Sequence, residues 1–124
     1  MTIVESGMTP KENSINYIEF PMHKTQETID FYSKIFGWTF TKWGPHYVSF
    51  SDAEIEGGFN GEGDMKSKSP GVLIVLYSQN LVEKAEAISQ AGCKVIKPIY
   101  AFPGGKRFHF LDPNGNELAV WSEN

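Results

Sequence analysis

One pattern of short elements runs through this chain twice, and few folds accommodate that. Residues 14–20 alternate as a β-strand does, with Ile18 and Phe20 on one face and Tyr17 and Glu19 on the other. Pro21 ends the strand, and over residues 25–36 the period turns helical, with Ile29, Tyr32, Ile35 and Phe36 on one stripe. Gly37 fits the left-handed position that closes a helix. Three strands are predicted next, at 38–41, 47–50 and 55–60, and then a polar stretch rich in Gly, Ser and Lys. The order then repeats. A strand at 71–77 leads to a helix opened by Asn80 with Glu83 three residues on, a capping-box pattern, and closed near Gly92. A strand at 93–96, a Pro/Gly loop at 100–105 and a final hairpin complete the second round. A duplication of this length points to two modules sharing one core.

The hairpin is the clearest local feature. Asp112-Pro113-Asn114-Gly115 has turn chemistry at every position, between runs that alternate apolar and polar. On its second strand Leu118 and Val120 point one way, and Glu117, Ala119 and Trp121 the other. The 124 residues suffice for one domain, and 40% hydrophobic content supplies a core. A net charge of −4 argues against nucleic acid or an anionic membrane as partner. Cys93 is alone, so it forms no intrachain disulfide and reads as a small buried hydrophobe. The segment to residue 13 lacks the apolar core of a signal peptide, and no run is long enough to span a membrane. A cytoplasmic protein with a flexible tail at 1–13 is expected, followed by a first module at 14–60, a linker at 61–69 and a second module at 70–124.

With these residues in view, the chain resembles the vicinal oxygen chelate superfamily of glyoxalase I, bleomycin resistance proteins and extradiol dioxygenases. The resemblance is carried by Ile29-Asp30-Phe31-Tyr32-Ser33-Lys34-Ile35-Phe36-Gly37-Trp38, by Ala91-Gly92, and by Phe110-Leu111-Asp112-Pro113-Asn114-Gly115-Asn116-Glu117, in that order within the repeated frame. It implies an α+β fold of two tandem βαβββ modules forming a cup-shaped curled mixed sheet, with helices outside and ligand inside. It also implies a homodimer. In metal-using relatives up to four His, Glu or Gln side chains on cup-facing strands hold one divalent cation. Here the corresponding positions fall on Tyr17, Leu73 and Ala119, with a fourth near Glu56. Phenol, isobutyl and methyl groups cannot replace such donors, so neither a metal nor another cofactor is expected.

If Phe108 and Phe110 pack beneath the helices, alternation sends Arg107 and His109 into the cup, along with Tyr17, Glu19, Tyr47, Ser49, Glu117 and Trp121. Aromatic walls with a few charges suit a small, partly planar organic ligand, and Arg107 is placed to clamp a carboxylate. Glu19, Arg107 and His109 are the candidates for catalysis, should there be any. Each has a plainer reading: Glu19 and Glu117 solvated or paired with Arg107 or Lys106, His109 a hydrogen-bonded sheet residue, Tyr17 and Trp121 packing. His23 and His46 are read as surface residues. The leading expectation is a metal-free small-molecule-binding protein. The alternatives are a lyase, isomerase or dioxygenase-type enzyme of the same superfamily and a protein-association subunit.

Overall fold

A computed structural model describes residues 12–13, 15–62 and 72–123. The expected tail up to residue 11, the linker beyond residue 62 and the start of the strand at 71 lie outside the described residues. The elements are β1 (Tyr17–Pro21), α1 (Thr25–Phe36), β2 (Thr39–Lys42), β3 (Tyr47–Ser51), β4 (Glu56–Asn60), β5 (Ile74–Tyr77), α2 (Leu81–Gln90), β6 (Lys94–Phe102), β7 (Gly105–Leu111) and β8 (Glu117–Ser122). They form two four-stranded mixed sheets, ordered β1-β4-β3-β2 and β5-β8-β7-β6. In each, the strand before the helix pairs in parallel with the last strand of its module, and the other pairings are antiparallel. The fold is α+β, two tandem βαβββ modules. Among the described residues, no helix is long and apolar enough to cross a membrane.

Alternation decides which face each sheet buries. Phe20, Val48, Phe50 and Phe59 of the first sheet and Phe108, Phe110, Leu118 and Val120 of the second enter one continuous core with Phe31, Tyr32, Ile35, Leu81 and Ile88. Helix α1 joins the halves. Tyr32 stacks on Trp38 with centroids 4.7 Å apart, while Phe31 and Phe36 lie 5.9 and 6.1 Å from Phe110 of the other module. The predicted stripe omitted Phe31, which is buried in the core. Gly37 (φ 74) closes α1 as expected, with Trp38 N–H reaching back to Tyr32 O at 3.3 Å.

The hairpin turn fastens the second module to the first. Asn114 Oδ1 accepts the N–H groups of His23 and Lys24 at 2.7 and 2.9 Å, capping α1 from another module, and Asn114 Nδ2 donates to Thr28 at 2.8 Å. Asn116 Nδ2 donates to Pro21 O at 3.0 Å. Asp112 gathers the turn. Its Oδ1 accepts Asn114 N–H and Asn116 N–H, and its Oδ2 accepts the Tyr32 hydroxyl at 2.9 Å. Burial raises the Asp112 pKa above the ordinary carboxylate value despite these donors, which act to lower it.

Two expectations need correction. The Asn80 side chain makes no capping hydrogen bond, so α2 begins without the expected box. Strand β6 runs through residue 102, across the segment read as a loop at 100–105. Pro98 is tolerated because β6 is an edge strand, where a missing N–H costs no ladder bond. Register shifts between Val95/Lys97 and Lys97/Tyr100 absorb the irregularity.

Candidate functional site

Each sheet has a second face, turned away from the helices, and the residues expected to bind a ligand divide evenly between the two. Tyr17, Glu19, Tyr47 and Ser49 lie on the first sheet. Arg107, His109, Glu117 and Trp121 lie on the second. No strand of one sheet pairs with a strand of the other among the described residues.

On the first sheet, the Tyr17 and Tyr47 hydroxyls meet at 2.7 Å above Gly58, where a Cβ would collide with both. Tyr47 donates to Glu19 Oε1 at 2.9 Å, so Tyr17 donates to Tyr47. Asn60 Nδ2 donates to Glu19 Oε2 at 3.1 Å. Burial first, and then the bonds to Tyr17 and Glu19, raise the Tyr47 pKa above the ordinary phenol value. Ser49 accepts from the indole of Trp43 at 2.8 Å.

On the second sheet, strand register sets Tyr100, Arg107, Trp121 and Tyr77 in one row across four strands, with Lys97, His109, Ala119 and Val75 in the next. Arg107 Nε donates to the Tyr100 hydroxyl at 2.5 Å, and its guanidinium lies 5.6 and 5.4 Å from the Tyr100 and Phe102 ring centroids. Tyr100 meets His109 Nε2 at 2.9 Å, and His109 Nδ1 meets Glu117 at 2.9 Å. Arginine only donates, so Tyr100 accepts from it, and the hydroxyl and the carboxylate together occupy both ring nitrogens of His109. His109 is 3% exposed, a sheet histidine bonded at both nitrogens. Glu117 pairs with it, while Glu19, exposed as the plainer reading allows, accepts from Tyr47 and Asn60. Tyr77 stands 5.2 Å from Trp121, edge to face, and donates to Glu123.

The positions at which the resemblance implies metal ligands do not make a donor set. Register sets Tyr17 opposite Glu56, and Ala119 opposite Val75, while Leu73 lies just before β5. One carboxylate and one phenol among alkyl groups lack the three or more convergent donors that a catalytic cation needs. His23 and His46 are exposed, as expected of surface residues.

Sequence reasoning missed Tyr100, Phe102, Asn60 and Gly58. The alternation through Tyr100 and Phe102 was available, but Pro98 masked it. A concavity of about 650 Å³ lies elsewhere, on the helix side between α1 and the hairpin turn, lined among others by Lys24, Asp30, Lys34, Cys93 and Lys94. Burial pushes the Cys93 thiol there up to about 11.

Comparison with known proteins agrees with this architecture. No curated protein gives a significant match. A glyoxalase-related enzyme from Fulvimarina pelagi superposes with TM-score 0.75 at 16% identity, over 89% of this chain and 88% of that one. An antibiotic-binding protein from Streptomyces sp. CB03234 gives 0.65 at 15% identity, over 92% and 98%. A lactoylglutathione lyase from Agrobacterium tumefaciens gives 0.68 at 15% identity, over 90% and 95%. At these identities the likeness speaks to the fold. The sequence profile of the Glyoxalase/Bleomycin resistance protein/Dioxygenase superfamily matches residues 14–120, nearly the whole chain, and the protein therefore belongs to that superfamily.

Proposed function

We propose that this protein binds a small, partly planar organic molecule against the helix-free faces of its sheets, without a catalytic metal. The observation that carries the reading is the row of Tyr100, Arg107, Trp121 and Tyr77. It is a cation held among aromatic rings by bonds already made, so little ordering remains to be done on binding. The first sheet adds a second fixed group, Tyr17, Tyr47 and Glu19. A homodimer is the binding form: each chain carries its two lined faces on separate sheets, with Trp43, Val75 and Tyr77 exposed. Net charge of −4 and a lone cysteine support a cytoplasmic protein with no nucleic-acid or membrane partner.

The test is elemental analysis of protein purified without chelator, with thermal melts in zinc, nickel, manganese or iron. Metal well below one per chain and unchanged melting are expected. One tightly held cation per chain, with turnover of a hemithioacetal, would overturn the reading. Sedimentation at micromolar concentration should give a dimer, and a strict monomer counts against the assembly.

A lyase or isomerase working by proton transfer is the second reading, favoured by the Tyr100–His109–Glu117 chain. Turnover abolished by His109→Gln in a metal-free preparation would support it over simple binding.

A further inference from the structure

We propose that the ligand taken by the second sheet's open face is a planar organic anion, its carboxylate held by Arg107 and its ring laid against Trp121. This rests on the small-molecule reading above and narrows it to one chemical class. Register places Arg107 directly between Tyr100 on β6 and Trp121 on β8. The guanidinium is fixed through Nε to the Tyr100 hydroxyl and lies near the Tyr100 and Phe102 rings. Held that way, its two terminal nitrogens form the edge that binds a carboxylate by paired hydrogen bonds.

The local charge balance points the same way. The Glu117 carboxylate is engaged by His109 Nδ1 at 2.9 Å. Hydrogen bonds link Arg107 to Tyr100, Tyr100 to His109 and His109 to Glu117. The Glu117 carboxylate thus lies two hydrogen-bonded residues away from the guanidinium, and the Glu123 carboxylate is engaged by Tyr77 at the other end of the row. A half-buried cation flanked by rings favours a flat body carrying an anion. A neutral ligand would shield it from water without supplying a counter-charge.

The test compares 1-naphthoate with 1-naphthamide, equal in shape and different in charge, by titration calorimetry on the full chain. The acid should bind about tenfold more tightly than the amide, the effect of one charge-assisted pair. Arg107→Met keeps the aliphatic stem. It should abolish that preference, bringing acid and amide to within about twofold of each other. Tyr100→Phe keeps the ring and releases the guanidinium, and should weaken the acid preference by about threefold. Should Arg107→Met fail to fold, Tyr100→Phe with Arg107→Lys decides, because both must lower the preference. Equal affinity for acid and amide in the unaltered protein, or a preference surviving Arg107→Met, overturns the inference. Amide binding without acid preference overturns only this assignment of class. No binding of either probe at millimolar concentration overturns it together with the small-molecule reading.

Discussion

Replacing Asp112 tests what holds the two modules together. Its carboxylate receives four hydrogen bonds: the N–H groups of Asn114 and Asn116 on Oδ1, both at 2.8 Å, and the Tyr32 hydroxyl and Asn116 Nδ2 on Oδ2, at 2.9 and 3.0 Å. Asp112→Ala removes all four acceptor sites from donors in a buried setting. An orphaned buried donor costs about 1–3 kcal/mol, and rearrangement or water will rescue some, so a loss of about 4 kcal/mol is expected. That is a large part of the ~5–15 kcal/mol by which a small domain is stable. Asp112→Asn keeps one oxygen and turns an amide toward the other pair of donors. The Tyr32 hydroxyl can rotate to accept, and Asn116 Nδ2 keeps Pro21 O. The cost should fall to about 1–2 kcal/mol, partly offset because a buried charge is removed.

The pH dependence has a definite sign. Burial raises the folded-state pKa of Asp112 above its unfolded value. Its contribution is therefore full below the unfolded pKa, about 4, and is lost as pH rises through the raised folded value. The stability margin of the wild type over Asp112→Asn, from urea melts, should shrink as pH rises from about 4 toward 7. A margin that widens, or an Asp112→Ala loss below about 1 kcal/mol, would refute this account of the module junction.

Leu118→Asp and Val120→Asp should each unfold the protein in circular dichroism melts, since both side chains are fully buried and an unpaired carboxylate there costs about several kcal/mol. Unchanged melting temperatures would mean that the faces of β8 are reversed. Gly57→Ala should cost more than Gly58→Ala in urea titrations. A Cβ at 57 strikes the Ile18 backbone carbonyl and the Phe50 ring, whereas at 58 it meets the movable ends of Tyr17 and Tyr47. Gly58→Ala should also shift the Tyr17 and Tyr47 ring resonances, and the reverse order of cost would contradict the packing of β4.

The duplicated frame was legible because strand alternation and helix period are local, and α1 with its Gly37 cap is placed as the sequence indicates. The same holds for the faces of β7 and β8, where Phe108, Phe110, Leu118 and Val120 go to the core and Arg107 and His109 to the other side. Long-range partners were not legible. Asn114 read only as a turn residue and Asn116 only as part of the segment that follows, yet their side chains cap α1 and hold Pro21, about ninety residues away in sequence. On the candidate site, Tyr100 was lost with the misread end of β6, because Pro98 signals a strand end unless the strand is known to be an edge. The pairing of His109 with Glu117 depends on diagonal neighbours across β7 and β8, which register reveals and composition does not.

The central claim is that ligand meets the helix-free faces and needs no metal. It is tested most directly by mapping where a planar aromatic probe perturbs the protein's amide and side-chain resonances, with and without chelator. The account predicts shifts at Arg107, Trp121, Tyr100 and Tyr47, unchanged by chelator. Shifts confined to Lys24, Asp30 and Lys94, around the cavity of about 650 Å³ on the helix side, would contradict it, as would binding that disappears when divalent cations are removed.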